Sequence, residues 1–198
     1  MKQLAFTLAV LATFLAPSFV LAANWKVDPD HSAAHFKVRH MMIADVRGTF
    51  PEVVGTVIID DEDIAKSSVN VTLPVTGITT GVTKRDDHLR SPDFFDVGKH
   101  PTMNFTSKQV TKGQGGALKV LGDLTLHGVT KPVELLVSGP SADAKDPWGN
   151  IRRGAQATTT LNRKDFGIVY NAPLDNGGML IGDQVEIVID LEMIRQGS

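Results

Sequence analysis

Hydrophobic and polar residues alternate with a period of two along most of the chain, the pattern of β-strands with one buried and one exposed face. Val69, Val71, Leu73 and Val75, for example, are separated by asparagine, threonine and proline. Turn-forming residues separate the alternating stretches, and strands joined by short turns pair antiparallel. The pattern predicts about eight or nine strands, which are Asn24–Asp28, Ala33–His40, Val46–Asp60, Ser67–Val75, Thr102–Val110, Ala117–Leu126, Val133–Ser138, Gly154–Leu161 and Gln184–Ile194.

This number of antiparallel strands predicts an all-β fold, either a barrel or a sandwich. The stretch Val46–Asp60 is long for one strand and contains Pro51 and Gly55. We expect a bend or a bulge there, as in a strand that curves around a closing sheet.

Two segments break the alternation and predict short helices. Thr83, followed three residues later by Asp86, is a helix-start signal, and Arg90 before Ser91-Pro92 is a helix-stop signal. A second short helical turn is expected at Asn162–Asp165. The first segment leads into Phe94-Phe95 and the second into Phe166, so these rings either close the ends of a barrel, plug it, or fill one end of the core.

The first 22 residues have the three parts of a secretory signal peptide. Lys2 precedes an apolar run from Leu4 to Ala16, and small residues end the segment at Ala22. The run is shorter than the roughly 20 apolar residues of a transmembrane helix, although an uncleaved anchor is the alternative. We therefore predict a signal peptide over 1–22 cleaved near Ala22, one domain over 23–198 with no membrane span, and a periplasmic location.

Charge and cysteine content exclude several classes of function. The 20 basic and 22 acidic residues give a formal net charge of −2, so the basic excess typical of nucleic-acid-binding proteins is missing. The chain has no cysteine, which excludes disulfides, thiol nucleophiles and thiolate metal sites. An exported protein without disulfides fits a bacterial periplasm.

No compact catalytic or metal-binding motif is present, and we predict a protein that is not an enzyme and has no cofactor. His31 and His35 share one parity of a strand whereas His40 has the other, so one regular strand cannot bring the three together. The sequence lacks a nucleophile elbow, a phosphate loop and a zincin motif. The alternative is a periplasmic metal-binding or isomerase-like enzyme centred on His31, His35 and His88.

The predicted interior is aliphatic. A barrel of about eight strands either fills with side chains or holds one small ligand. The inward positions are mostly valine, isoleucine, leucine and threonine, which would leave an elongated apolar lumen. The same residues would also fill the middle of a collapsed sandwich.

Several motifs resemble the YceI-like family of exported polyisoprenoid-binding proteins. They cover the whole chain after the first segment, in order, and are Trp25–Asp28, Gly48–Phe50, Arg85–Ser91, Phe94–Asp96, His100-Pro101, Gly122–Val133 and Asn162–Ile168. The resemblance implies a lipocalin-like antiparallel eight-stranded β-barrel with one or two short helical segments. It also implies a long apolar pore for a polyprenyl chain or another long amphiphile, with the polar head near one mouth.

Combining the resemblance with the alternation gives a set of candidate ligand-binding residues for a polyprenyl phosphate, an isoprenoid quinone, a fatty acid or an amide. The protein would transport, store or sequester this lipid, and a homodimer formed through the barrel sides is possible. The residues expected around the tail are Phe36, Val38, Phe50, Phe105, Leu124 and Leu126. The closing ends would be shaped by Phe94, Phe95 and Phe166, and the head group would meet Arg85, His88 and Arg163, for which a solvated helix face is the alternative.

Overall fold

The structure is a computed structural model that describes residues 22–175 and 177–197. Residues 1–21 of the predicted signal peptide, which covers 1–22, lie outside the described residues. Within these ranges there is one α-helix, α1 (Thr83–Arg90), with 3₁₀ turns at Pro29–His31, Ile64–Lys66, Val75–Gly77, Gln114–Gly116 and Arg163–Phe166. The strands are β1 (Ala23–Val27), β2 (Ala33–His40), β3 (Ala44–Phe50), β4 (Val54–Ile59), β5 (Ser68–Pro74), β6 (Thr102–Lys112), β7 (Leu118–Leu126), β8 (Val129–Ser138), β9 (Ala144–Lys145), β10 (Ile151–Asn162) and β11 (Ile181–Arg195).

The strands form one closed antiparallel barrel of eight staves, which confirms the predicted fold class. The order around the sheet is β3-β2-β11-β1-β4-β5-β6-β7-β8-β10-β9, and the pairing of β10 with β11 closes the ring. β1 and β2 lie end to end along the same edge of β11, so together they make one stave. β3 and β4 make the next stave, because β3 pairs with β2 and β4 pairs with β1. The short β9 only extends the edge of β10.

The stretch predicted as one bent strand, Val46–Asp60, consists of β3 and β4 with a break at residues 51–53. Pro51 lies in the break and has no backbone N–H to donate to a strand ladder. At Gly55 the backbone φ is +146°, and a Cβ there would lie 2.2 Å from the Asn70 carbonyl oxygen. The break lets the stave change partners, so that β4 pairs with β5 while β3 does not.

Helix α1 has the predicted bounds but a different start from the one expected. Its N-cap residue is Val82, which makes no side-chain cap, and Thr83 is the first helical residue. The Asp86 carboxylate turns away from the helix start and accepts hydrogen bonds from the Thr79 hydroxyl and from the Thr80 hydroxyl and N–H. Asp86 therefore fixes the helix to the turn before it. No helix in the described ranges is long and apolar enough to cross a membrane.

The two ends of the barrel differ. At the end away from α1, the guanidinium groups of Arg153 and Arg195 both stack on the fully buried Trp25 ring, each within 4.9 Å of its centroid. Both arginines bind the Asp143 carboxylate, and Arg153 also forms a bidentate ion pair with Asp61. We call this the closed end. The other end, the α1 end, carries α1, the 3₁₀ turn at 163–166 and the loop that precedes β11.

Candidate functional site

An apolar cavity runs through the barrel interior. Its volume is about 180 Å³, measured as the space open to the centre of a water molecule, and its wall exposes no polar atom to the cavity. Strands β2, β5, β6, β7, β8, β10 and β11 all contribute inward side chains, and α1 adds Leu89 at one end. Such a space is large enough for a ligand and, with no polar partner in its wall, is suited to hydrocarbon.

All six residues predicted to surround a hydrocarbon tail lie in the wall of this cavity, because the two-residue period places them on the inner face of their strands. The structure brings together Phe36, Val38, Phe50, Phe105, Leu124 and Leu126. Phe36 and Phe50 also contact each other, with ring centroids 5.7 Å apart.

Two glycines make space for two of these phenylalanine rings, those of Phe36 and Phe105. A Cβ at Gly48 would lie 2.3 Å from Cζ of Phe36, its partner across the β2–β3 pair. A Cβ at Gly122 on β7 would lie 2.5 Å from Cζ of Phe105 on β6. The rings therefore lie flat along the barrel wall over a neighbouring strand and leave the lumen open.

The three phenylalanines predicted to close the ends all line the cavity, and all belong to the α1 end. Phe95 packs edge-on against Phe50, with centroids 5.6 Å apart, and joins the α1–β6 loop to the barrel. Phe94 and Phe166 are almost completely buried beside it. The rings narrow this end of the cavity.

One polar cluster at this end surrounds Tyr170. The His88 ring contacts the rings of Tyr170 and Phe94 edge-on at 4.9 and 5.0 Å, and its Nε2 lies 2.8 Å from an Asp93 carboxylate oxygen. His88 does not line the cavity itself, and 41% of its side chain is exposed. It lies at the outer surface, next to a wall residue.

The two arginines predicted for the head group bind the protein itself. Arg163 lines the cavity and is buried, but its guanidinium donates to the carbonyl oxygens of Ile168, Tyr170 and Gly182. Burial lowers the pKa of Arg163. Arg85 lies outside the wall and donates to the hydroxyl and carbonyl oxygens of Thr80. Arg163 thus holds the loop before β11 in place at the α1 end.

An apolar rim surrounds the same end. The β2–β3 hairpin exposes Met41, Met42 and Ile43, and the Met41 N–H donates to the carbonyl of Leu180 at 2.7 Å. Met179, in the loop before β11, is also exposed. We call this set, residues 41–43 and Met179, the apolar rim.

The histidines of the alternative enzyme hypothesis are not gathered into one site. His31 pairs with Asp28, His35 lies near Thr49 and Asp190, and His88 pairs with Asp93. In the described part of the chain, His35 and His88 belong to no group of three metal-ligating side chains. His31 does belong to one, with Asp28 and Glu192, but the Arg152 guanidinium donates to both carboxylates at 2.6 Å.

The candidate ligand-binding residues predicted from the sequence include none of the cavity-lining residues of β11. Its inward residues follow the same alternation that identified the strand, so parity was the signal that could have found them. They are Ile181, Val185, Ile187, Ile189 and Leu191. Tyr170 lies in an irregular loop with no periodic signal, and only the fold brings it to His88.

Comparison with known proteins gives a consistent result. A family model for the YceI-like domain matches residues 25–193. Among curated relatives, the protein YceI of Escherichia coli O6:H1 is 35% identical over 99% of this chain and its own full length. A UPF0312 protein of Photorhabdus laumondii is 36% identical over 99% of both chains.

Solved structures with the same fold include three of distinct origin. BcnA of Burkholderia cenocepacia has a TM-score of 0.71 and 22% identity, covering 84% of this chain and 98% of its own. The YCEI protein of Campylobacter jejuni has a TM-score of 0.66 and 27% identity, covering 81% and 91%. A polyisoprenoid-binding domain of Saccharophagus degradans, implicated in plant cell wall breakdown, has a TM-score of 0.62 and 15% identity, covering 88% and 99%.

Proposed function

Since this chain belongs to the YceI-like family, we propose that it is an exported lipid-binding protein that holds one polyisoprenoid or similar long-chain amphiphile inside its barrel. The observation that carries the proposal is the cavity of about 180 Å³ that runs through the barrel and whose wall exposes no polar atom. The protein transports, stores or sequesters its ligand in the periplasm, and catalysis is not part of this function. The polyisoprenoid-binding description of the Saccharophagus domain is consistent with the proposed class of ligand.

The energetics favour a long tail. Burial of a methylene contributes about 0.8 kcal/mol, whereas association costs about 4–15 kcal/mol. A tail of about ten carbons therefore only offsets this cost, and a tail of roughly twenty carbons exceeds it. A wall without exposed polar atoms offers nothing to a polar ligand, so chain length determines affinity.

We place the mouth at the α1 end. The closed end is sealed by Trp25 and the ion pairs of Arg153 and Arg195. The α1 end has the apolar rim and the loops that contribute Phe94, Phe95 and Ile168 to the cavity wall. His88 and Tyr170 lie beside this mouth. They replace Arg163, whose donors are occupied, as the side chains nearest to the lipid head.

Native mass spectrometry of the protein purified from its own periplasm tests the proposal directly. We expect a complex with one lipid of defined mass, which organic extraction releases. Protein that remains empty after purification, and again after incubation with a polyprenyl phosphate, an isoprenoid quinone and a fatty amide, would contradict the proposal.

A pair of substitutions on β10 locates the ligand. Ala157 lines the cavity and Thr160 faces outward on the same strand. We expect Ala157→Phe to fill part of the lumen and to weaken binding of a fluorescent long-chain lipid about tenfold or more, because several methylenes at about 0.8 kcal/mol each lose their place. Thr160→Phe is the matched control and keeps the native affinity. Equal affinities of the two variants would place the lipid outside the barrel.

A further inference from the structure

Three metal-ligating side chains lie together at the α1 end, outside the cavity. They are Asp96 and His100 from the α1–β6 loop and His127 from the β7–β8 turn. One donor atom from each lies within 4.8 Å of the others, and the two imidazole centroids are 5.0 Å apart. The proposed lipid-binding function makes no use of this cluster.

The His127 ring is oriented as a metal ligand would be. Its Nδ1 lies 3.1 Å from the Phe166 carbonyl oxygen, which can only accept a hydrogen bond, so Nδ1 carries the proton. The lone pair of the neutral ring is then on Nε2. Metal-bound histidines commonly donate their second N–H to a backbone carbonyl in this way, which fixes both the tautomer and the ring plane.

The backbone of the turn makes space for the second imidazole. His127 and Gly128 both have positive φ angles, of 52° and 73°, as a tight two-residue hairpin turn requires. The His100 ring packs against Gly128, where a Cβ would lie 2.6 Å from its Cε1. Gly128 is thus needed for the turn and for the position of His100.

The third ligand already attracts a cation. Asp96 is largely buried, with 14% of its side chain exposed, and Lys99 Nζ lies 2.8 Å from its Oδ2. The Lys99 side chain is 75% exposed, so this ion pair is a surface pair of low energy. A divalent ion, with twice the charge and two further ligands, can displace the ammonium group.

We propose that Asp96, His100 and His127 form a binding site for a divalent transition ion of the zinc class. Two imidazoles and one carboxylate at about 2.0–2.2 Å form a common donor set for Zn²⁺, with water as the fourth ligand. The second cluster with suitable donors, Asp28 with Glu192 and His31, differs because a guanidinium lies between its carboxylates.

The ion joins two segments that flank the cavity. Asp96 directly follows Phe95 and His127 directly follows Leu126, and both of these apolar residues line the cavity wall. A bound ion therefore fastens the α1–β6 loop to the β7–β8 turn at the α1 end. The site needs no lipid, so the test uses the metal alone.

Tag-free protein is titrated with Zn²⁺ by calorimetry, and its stoichiometry is measured by native mass spectrometry. We expect one Zn²⁺ per chain, with a Kd weakened about tenfold or more in His127→Gln and in Asp96→Asn. Lys99→Met removes the competing ammonium and tightens the Kd severalfold. Hydrogen exchange of residues 91–101 slows when Zn²⁺ binds.

The control is His35→Gln, which removes an imidazole outside the cluster and keeps the native Kd. Melting curves of the metal-free variants establish that each is folded, and His100→Gln replaces any ligand variant that is not. No saturable binding by the native protein, or equal weakening in His35→Gln and His127→Gln, overturns the proposal. An unchanged Kd in Lys99→Met overturns the assignment of Asp96 as a ligand.

Discussion

Individual glycines set the width of the lumen, because two of them let phenylalanine rings lie against the wall. The Phe36 ring occupies the position that a side chain at Gly48 would take, and Phe105 does the same at Gly122. Both glycines have ordinary negative or extended φ angles, so the lack of a side chain, and not a special backbone conformation, is what these sites require.

Gly48→Ala tests this arrangement. The new methyl group would lie 2.3 Å from Cζ of Phe36 and 2.9 Å from Cγ2 of Thr80, so the ring must turn into the lumen. We expect the free energy of unfolding, measured with urea, to fall by about 1–3 kcal/mol and the affinity for long-chain lipid to fall with it. Gly98→Ala is the control, because nothing lies within 4 Å of its Cβ position. Equal effects of the two substitutions would rule out the packing role of Gly48.

Strand parity predicted which of these residues line the cavity, whereas the partners of the polar groups could not be predicted from the sequence. Phe36, Phe105 and Leu124 could be assigned from strand parity, because an inward position depends only on the local period of two. Arg163 could not be assigned, because the carbonyl oxygens that bind it belong to residues 168–182, and only the folded loop brings them to the guanidinium.

The buried Asp86 carboxylate fixes helix α1 to the turn before it, and Arg90 adds hydrogen bonds to the carbonyl oxygens of Thr76 and Ile78. Hydrogen bonds from Thr80, together with those from Thr79, lower the pKa of Asp86. Asp86→Asn keeps the size of the side chain but turns an acceptor into a donor facing other donors. We expect a clear fall in melting temperature and faster exchange of the amides of α1.

Asp87→Asn is the matched control for Asp86, because the Asp87 side chain is 70% exposed and pairs only with Arg90. The native melting temperature should be retained in this variant. If Asp86→Asn also melts at the native temperature, the helix must be held by its other contacts, such as the hydrogen bonds from Arg90 to the carbonyl oxygens of Thr76 and Ile78.

An ion-pair cluster centred on Arg152 links the 3₁₀ turn after β1 with β10 and β11. Arg152 donates to Asp28, Asp146 and Glu192, with 17% of its own side chain exposed. Burial raises the pKa of Asp28 and Asp146, but the hydrogen bonds from Arg152 and neighbouring groups outweigh burial and leave both below the usual 3.8. Their ionised forms are therefore more favourable in the folded state than in the unfolded state.

This cluster predicts a pH dependence with a definite sign. Because the folded pKa values of Asp28 and Asp146 are lowered, their stabilisation is complete above about pH 3.8 and is lost as the pH falls through the folded values. Urea unfolding of native protein and Arg152→Met from pH 7 to pH 2 measures it. The two stabilities should converge below pH 3.8, and a constant difference would contradict the prediction.

The contribution of His31, in the same cluster, to the free energy of unfolding has the opposite pH dependence. The hydrogen bond to Asp28 raises the pKa of His31 above 6.5, so its contribution is present below pH 6.5 and is lost as the pH rises through the raised value. The imidazole is exposed, so His31→Asn should lower the free energy of unfolding only slightly, below about pH 6.5, and leave it unchanged at alkaline pH. This variant separates the histidine from the carboxylates.

Most of the strands and helix α1 could be predicted from the sequence. Strand parity and turn residues located every stave, and the charge pattern of 83–90 located α1. The division of Val46–Asp60 into two strands could not be predicted from the sequence. It depends on long-range pairing in the closed barrel, in which β3 pairs with β2 whereas β4 pairs with β1 and β5.

The lumen of the whole molecule predicts a chain-length dependence. Across a series of unbranched fatty alcohols, each methylene buried adds about 0.8 kcal/mol, which is about a fourfold lower Kd. We expect this decrease to continue until the chain fills the cavity and then to stop. The length at which fluorescence-displacement Kd values level off measures the lumen, whereas Kd values that do not vary with length would indicate adsorption to the surface.

The end-to-end placement of β1 and β2 along β11 determines when this barrel can close during its synthesis. Trp25 pairs with Arg195 and Ala33 with Asp190, so β1 and β2 cannot complete their pairing until the ribosome has synthesised β11. Contacts of such large sequence separation form slowly. The nascent chain therefore cannot close the barrel until β11 has been made.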